Sequence, residues 1–332
     1  MKPPILFKSK SSGLTCVEIC SGAGGQALGL ECAGFEALAH VEYDQHACAT
    51  LRLNRPKWNI VEGDVRKFSA REFLGVDLLA GGVPCPPFSK AGKQLGSDDE
   101  RDLFPEALRL VEECRPKAVM LENVRGFLDA VFMDYRMGLK KQLKEMGYEA
   151  SWHLLNASDF GVPQLRPRVV IVAIRSDLAG NFYPPIPLTD GRLPKSVGET
   201  LVDLMARDGW EGALEWASKA NEIAPTLVGG SKKHGGADLG PTRARKAWAS
   251  LGVEGKSLAD TVPPKGFVGM PKLTIRMAAR IQGFPDDWHF TGGKTAAYRQ
   301  VGNAFPPPVA LAVARRIREA LETGKQGLKN AL

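Results

Sequence analysis

Leu14-Thr15-Cys16-Val17-Glu18-Ile19-Cys20-Ser21-Gly22-Ala23-Gly24-Gly25 is the stretch on which the fold turns. Leu14–Cys20 reads as a strand, and its apolar run suits a position inside a sheet. The glycines that follow permit a tight turn and let a ligand approach the backbone. A helix starts there, over Gly24–Cys32. Ala37–Glu42 reads as a second strand, followed by a helix over roughly Asp44–Leu53. Glu42 closes that strand 20 residues after Gly22. A carboxylate in that place can accept both ribose hydroxyls of a nucleoside. Asp64, after another short apolar segment, is within reach of an adenine. NAD and S-adenosylmethionine both satisfy this pattern. The loop lacks the Gly-Lys-Ser or Gly-Lys-Thr ending that phosphate binding by an NTPase requires.

The alternation continues outward. Val76–Ala80 and Ala118–Leu121 are strands, with Leu103–Cys114 between them at helical spacing. Gly138–Met146 is a helix, and Tyr148–Leu155 and Val169–Arg175 are late strands. Strand–helix repetition of this kind predicts an α/β fold, a parallel sheet covered on both faces. Periodicity fails from about residue 176 to 297, which predicts a smaller lobe of loops and short strands. It returns at Pro308–Leu321, where Val309, Val313, Ile317 and Leu321 line one helix face.

Two reactive side chains sit at strand ends in this scheme. Gly82-Val83-Pro84-Cys85-Pro86-Pro87-Phe88-Ser89 places a cysteine in a proline-stiffened loop after one strand. Glu122-Asn123-Val124 follows the next. A thiolate and a carboxylic acid facing one crevice suit addition to an electron-poor ring with proton transfer nearby.

The composition narrows the field. The chain has 332 residues and 44% apolar content, as expected of a globular protein. It lacks any run of about 18 apolar residues, so no membrane span is expected, and its first residues do not read as a secretory signal. Six cysteines without a Cys-x-x-Cys pair predict neither a metal site nor a disulfide framework, and imply a reducing compartment. Net charge is +7, and residues 223–280 hold ten Lys and Arg against three Asp and Glu. A local excess beside an otherwise balanced chain favours a polyanion, nucleic acid first.

With these residues in place, the chain resembles the DNA (cytosine-5) methyltransferase family, of the bacterial or phage restriction-modification type. The ordered matches run from residue 14 to 313. Glu18–Gly25 resembles the cofactor loop, and Pro84–Ser89 the nucleophile motif. Glu122-Asn123-Val124 resembles the acid motif, and Gln164-Leu165-Arg166-Pro167-Arg168 the Gln-x-Arg-x-Arg motif. Arg276–Pro285 and Gln300–Pro308 resemble the late motifs. The resemblance implies a Rossmann-like S-adenosylmethionine-dependent sheet on residues 1–175 plus 298–332. It implies a target recognition domain on 176–297, with Thr226 in an element near the flipped base.

The implied roles are specific. Cys85 is the nucleophile and Glu122 the acid. Arg166 orients the base or stabilises charge near its O2, with Arg168 behind it. Cys20, Gly22, Ala23, Gly24, Gly25, Glu42, Asp64, Pro84 and Asn303 hold S-adenosylmethionine, which leaves as S-adenosylhomocysteine, with no metal. Ser89, Gln164, Thr226, Lys232, Lys233, Arg243 and Arg245 face double-stranded DNA. A monomer in the bacterial cytoplasm is expected, with a cognate restriction endonuclease as a separate partner. One departure stands out: Cys20 replaces the Phe that packs on adenine in the family. Relatives that act on tRNA carry a Cys-Phe-Thr element in the recognition lobe, and this chain has no cysteine after Cys114. A silent DNA binder would be expected to have altered the Pro-Cys or Glu-Asn-Val motif. An NAD oxidoreductase leaves the cysteine loop unexplained.

Overall fold

The computed structural model describes residues 13–84, 102–187, 194–230 and 236–330. The sheet is built from β1 (Leu14–Ile19), β2 (Phe35–Glu42), β3 (Ile60–Glu62), β4 (Leu78–Gly82), β5 (Ala118–Val124), β6 (Tyr148–Asn156) and β7 (Pro167–Arg175), in the order β3-β2-β1-β4-β5-β7-β6. The first five strands run parallel, while β7 is antiparallel to β5 and β6 antiparallel to β7. The sheet is therefore mixed, not wholly parallel as the alternation predicts. Apolar pattern reports burial on both faces and is blind to strand direction.

One face is covered by α1 (Gly25–Ala33) and α10 (Pro307–Asn330), whose apolar residues join Leu14, Cys16, Leu78, Ala80 and Met120. The other face is covered by α3 (Phe104–Cys114) and α4 (Met133–Glu145), over Val17, Ile19, Leu79, Val119 and Leu121. α1 touches α10 through glycines. A Cβ on Gly29 would lie 2.4 Å from the Ala310 Cβ, and one on Gly25 would lie 2.2 Å from the Phe305 carbonyl oxygen. Gly25→Ala is therefore expected to push α1 away from the Ala304–Phe305 stretch that leads into α10 and cost about 1–3 kcal/mol. A urea unfolding midpoint equal to the wild type would show that the contact yields freely.

Residues 176–297 are more helical than their sequence predicts. Among the described residues 176–297 contain no strand, only isolated bridges. They hold α5 (Val197–Met205), α6 (Ala213–Lys219), α7 (Thr242–Ser250) and α8 (Ile275–Ile281), and α9 (Lys294–Asn303) begins at their end. α5 starts at a capping box in which Ser196 and Glu199 satisfy each other's backbone N–H. These helices bury Trp210, Trp216 and Trp248 together with Leu201, Met277 and Tyr298. The same core takes in Leu28 of α1, Leu51 of α2 (Gln45–Asn54) and Trp288, so it is continuous with the sheet-bearing part. No helix among the described residues is long and apolar enough to cross a membrane.

Candidate active site

The parallel strands end side by side, and the loops that leave them make the site. β1 turns through Cys20 (φ 51°), Gly22 (φ 53°) and Gly24 (φ 90°), three left-handed residues before α1. Only glycine takes that geometry without strain, so Cys20 is the costly member. Trp288 closes the loop from outside: its indole N–H donates to the Ala23 carbonyl at 3.1 Å. A Cβ on Gly24 would meet that ring at 2.7 Å.

Glu42 at the end of β2 is fixed by three backbone donors. Gly22 N–H reaches one carboxylate oxygen at 2.7 Å, and the N–H groups of Tyr43 and Asp44 reach the other at 2.9 and 2.8 Å. Burial lifts its pKa, and these hydrogen bonds hold it down in part. An ionised carboxylate has about four acceptor positions, so room remains for a hydroxyl. Asp64 instead caps a short turn and grips Arg66 through two guanidinium nitrogens, which lowers its pKa. Cys20 is silent as an acid, since burial first and then the carboxylates of Glu42, Glu18 and Asp64 push its thiol far up.

On the neighbouring strands, Gly82 of β4 pairs in register with Glu122 of β5. Glu122 forms an ion pair with Arg168, Nε to Oε1 2.7 Å, with each side chain about one-tenth exposed. Burial raises the Glu122 pKa, while the charges of Arg168 and then Arg166 pull it back. Asn123 donates to the Val83 carbonyl at 2.8 Å, locking the start of the cysteine loop to β5. Pro84 is exposed, and its carbonyl accepts from Leu103 N–H at 3.2 Å. Cys85 and Ser89 lie outside the described residues, as do Lys232 and Lys233.

Two arginines that the sequence ranks one way are placed the other way. Arg166 is wholly buried and faces no open site. It donates to the carbonyls of Leu227 (2.7 Å), Gly302 (2.7 Å) and Ala304 (3.1 Å). It is a clasp between three stretches of chain, and Arg168 is the arginine beside Glu122. Gln164, expected at the DNA, is also fully buried. It donates to Gln282 at 2.6 Å and accepts from Leu227 N–H at 2.9 Å. Thr226 lies next to this clasp and donates its hydroxyl to the Leu165 carbonyl. Asn303, expected at the cofactor, is exposed and donates to the Gly230 carbonyl at 3.1 Å, so it braces the segment that carries Gly230. Arg243 is exposed and Arg245 half-buried, both on α7.

Sequence reasoning passed over a buried polar chain behind the glycine loop. Glu18 and His40 are paired across β1 and β2 at 2.7 Å, with 0% and 1% exposure. His40 stacks on Trp58 at 4.3 Å, and Trp58 leans on Trp288. Arg55 lies over both indoles. Only the Glu18 position was visible beforehand, as the first residue of the loop motif.

Comparison with known proteins agrees with this geometry. Residues 14–319 match the family model described as C-5 cytosine-specific DNA methylase. The Type II methyltransferase M.NaeI of Lentzea aerocolonigenes is 58% identical over 96% of this chain and 78% of its own length. The Type II methyltransferase M.NgoMIV of Neisseria gonorrhoeae is 56% identical over 93% of this chain and 98% of its own. Among solved structures, a prophage-encoded Escherichia coli protein described as a DNA modification methyltransferase shares the fold, with a TM-score of 0.65. Its identity is 23%, covering 93% of this chain and 99% of the other. With strand ends, glycine loop and Glu122 arranged as described, the chain belongs to the C-5 cytosine-specific DNA methylase family and is a DNA (cytosine-5)-methyltransferase.

Proposed function

We propose that the protein methylates C5 of a flipped-out cytosine within one short duplex DNA sequence, through a covalent Cys85–C6 adduct. The observation that carries this reading is Glu122. It is a buried carboxyl of raised pKa, braced by Arg168, on the strand beside the one that leads to Pro84 and Cys85. The ring atoms of cytosine are shielded in a stacked duplex, so the base must leave the stack. The Cys85 thiolate adds to C6. Glu122 hands a proton or a hydrogen bond to N3, which draws charge off the ring and leaves C5 nucleophilic. Arg168 holds the Glu122 carboxyl in place. Once C5 carries the methyl group, its proton passes to water, and the freed electron pair restores the C5–C6 double bond and expels the Cys85 thiolate.

S-adenosylmethionine fits the residues present and supplies an electrophilic methyl group when bound. Glu42 would hold the ribose hydroxyls with its remaining acceptor positions, and Gly22–Gly25 would lie against the ligand. Cys20 offers little face to an adenine. Tyr43, directly after Glu42 and 67% exposed, is the aromatic side chain available there. Among the described residues no cluster of His, Cys, Asp and Glu could hold a metal ion.

On this reading residues 1–175 and 298–332 form the catalytic domain and 176–297 the target recognition domain. Thr226, Arg243 and Arg245, with Lys232, Lys233 and Ser89, face the duplex. The protein works as a monomer in the bacterial cytoplasm, alongside a separate endonuclease of the same specificity. The test is methyl transfer from labelled S-adenosylmethionine to duplex DNA and to tRNA, with bisulfite mapping of the DNA. Protection at one short sequence is expected. Labelling of tRNA alone would move the protein to an RNA substrate.

The Glu122–Arg168 pair has a pH signature. Arg168 opposes the burial that raises Glu122, so Arg168→Met lifts the Glu122 pKa further. For an acid whose folded pKa is raised, the stability present below the unfolded value, about 4.3, is lost as pH rises through the folded value. The melting temperature of Arg168→Met should therefore fall increasingly behind the wild type as pH rises above the raised wild-type Glu122 pKa, and the gap should level off once Glu122 of the variant has also ionised. A deficit independent of pH would show that the pair is not electrostatically coupled.

A further inference from the structure

The stretch of chain that carries Cys85 leaves β4 at Pro84 and returns to α3 at Asp102, and hydrogen bonds tie both of these ends. On the outgoing side, the Asn123 carboxamide donates to the Val83 carbonyl at 2.8 Å. Across the base, Leu103 N–H donates to the Pro84 carbonyl at 3.2 Å. On the returning side stands Asp102, a carboxylate only 8% exposed. One of its oxygens accepts from Phe104 N–H at 3.0 Å, at the start of α3. The other accepts from the Tyr135 hydroxyl of α4 at 2.5 Å.

A neutral serine or threonine can cap a helix start, at a smaller desolvation cost than a buried carboxylate. What the carboxylate adds is a second oxygen, and that oxygen reaches α4. Tyr135 is itself firmly seated. Its ring meets Phe104 and Phe127 edge-on, with centroids 6.1 and 6.2 Å away. The next residue, Arg136, donates to the carbonyls of Phe127 and Asp129 at 2.6 and 3.0 Å. Phe127 and Asp129 belong to the stretch that leaves β5 directly after Glu122-Asn123-Val124. Both ends of the Cys85 stretch are therefore fastened to the part of the chain that presents Glu122.

We propose that Tyr135 is a positioning residue for methyl transfer, which through Asp102 sets where the Cys85 stretch stands relative to Glu122. The proposal rests on the covalent mechanism above. That mechanism brings two groups from different strands to one ring, the thiolate to C6 and the acid to N3. The register of β4 on β5 fixes only the outgoing end of the stretch. The Tyr135–Asp102 hydrogen bond fixes the returning end to the same frame. A misplacement of about 1 Å can cost about 10²-fold in rate, so a hydroxyl that anchors one end of the stretch acts on the chemistry.

The test follows covalent complex formation on duplex DNA carrying 5-fluorocytosine at the target position, in a single turnover with saturating S-adenosylmethionine. Tyr135→Phe removes one oxygen and keeps the packed ring. It should slow complex formation about tenfold, while the Kd values for duplex DNA and for S-adenosylhomocysteine stay within about twofold. Asp102→Ser keeps an oxygen for Phe104 N–H and loses the one that reaches Tyr135. In that background Tyr135→Phe should have no further effect, because the partner of its hydroxyl is already gone. Complex formation by Tyr135→Phe within about threefold of the wild type would overturn the proposal. So would equal losses in rate and in both affinities, which mark a general support of the fold. A full effect of Tyr135→Phe in the Asp102→Ser background would overturn it too, as would failure of Tyr135→Phe to fold. A wild-type protein that forms no complex would remove the covalent mechanism, and this proposal with it.

Discussion

Cys85→Ala is expected to lower methyl transfer by roughly 10⁴-fold or more, as when a covalent nucleophile is removed elsewhere. Duplex binding should stay within about tenfold of the wild type, because phosphate contacts supply most of the affinity. The reason lies in the ring. Without addition at C6, C5 of cytosine has too little electron density to take a methyl group, and Glu122 alone cannot supply it. Transfer rates and a gel-shift titration on the same preparation separate the two effects. DNA carrying 5-fluorocytosine gives a third readout. Fluorine cannot leave C5 as a proton does, so elimination of Cys85 is blocked and a covalent complex should persist in denaturing gels. A Cys85→Ala protein that still methylates within tenfold of the wild type would sink the covalent mechanism. The other thiols give little background. Burial pushes Cys32, Cys48 and Cys114 up to about 12, and Cys16 and Cys20 are also raised.

Arg166→Met carries the largest expected cost in stability, about 3–5 kcal/mol, typical of removing one partner from a buried charged network. It strips donors from the carbonyls of Leu227, Gly302 and Ala304 at once. Burial and the nearby Arg168 charge disfavour the cation, so the carbonyl dipoles and Glu122 must offset that penalty in the native state. The melting temperature should fall by roughly 5–15 °C. Arg166→Lys should recover only part of it, since one ammonium cannot reach carbonyls that a planar guanidinium spans. A variant that melts with the wild type would show that the carbonyls find water or other donors.

How much was legible in the sequence depended on which physical signal each residue carries. Leu14–Ile19, Leu78–Gly82 and Ala118–Val124 are buried on both faces, and their unbroken apolar runs announce strands. Glu42 was found because the ligand chemistry fixes its spacing from the glycine loop. The antiparallel course of β6 and β7 was not visible, because strand direction leaves no mark on composition. The recognition helices were missed for a different reason. α6 and α8 have seven residues each and α5 nine, too short for a period to assert itself among glycines and prolines. The roles of Arg166 and Arg168 came from the resemblance, and the motif carries no sign of which arginine the fold buries; β7 begins at Pro167 and Arg166 lies just before it, drawn into the clasp.

The clasp at Arg166 reaches the distant stretches of chain through their main-chain carbonyls. Carbonyl oxygens are present whatever side chain a residue carries, so these hydrogen bonds by themselves ask for no particular side chain, although Gly302 is held to glycine by the Gly229 backbone, 2.4 Å from where its Cβ would lie. On the proposed assignment of residues 176–297 to target recognition, changes that alter base preference can accumulate around the clasp while the fastening to the catalytic sheet stays as it was. A family that must keep one chemistry and diversify its targets gains from that separation, since specificity drifts without placing the reaction at risk.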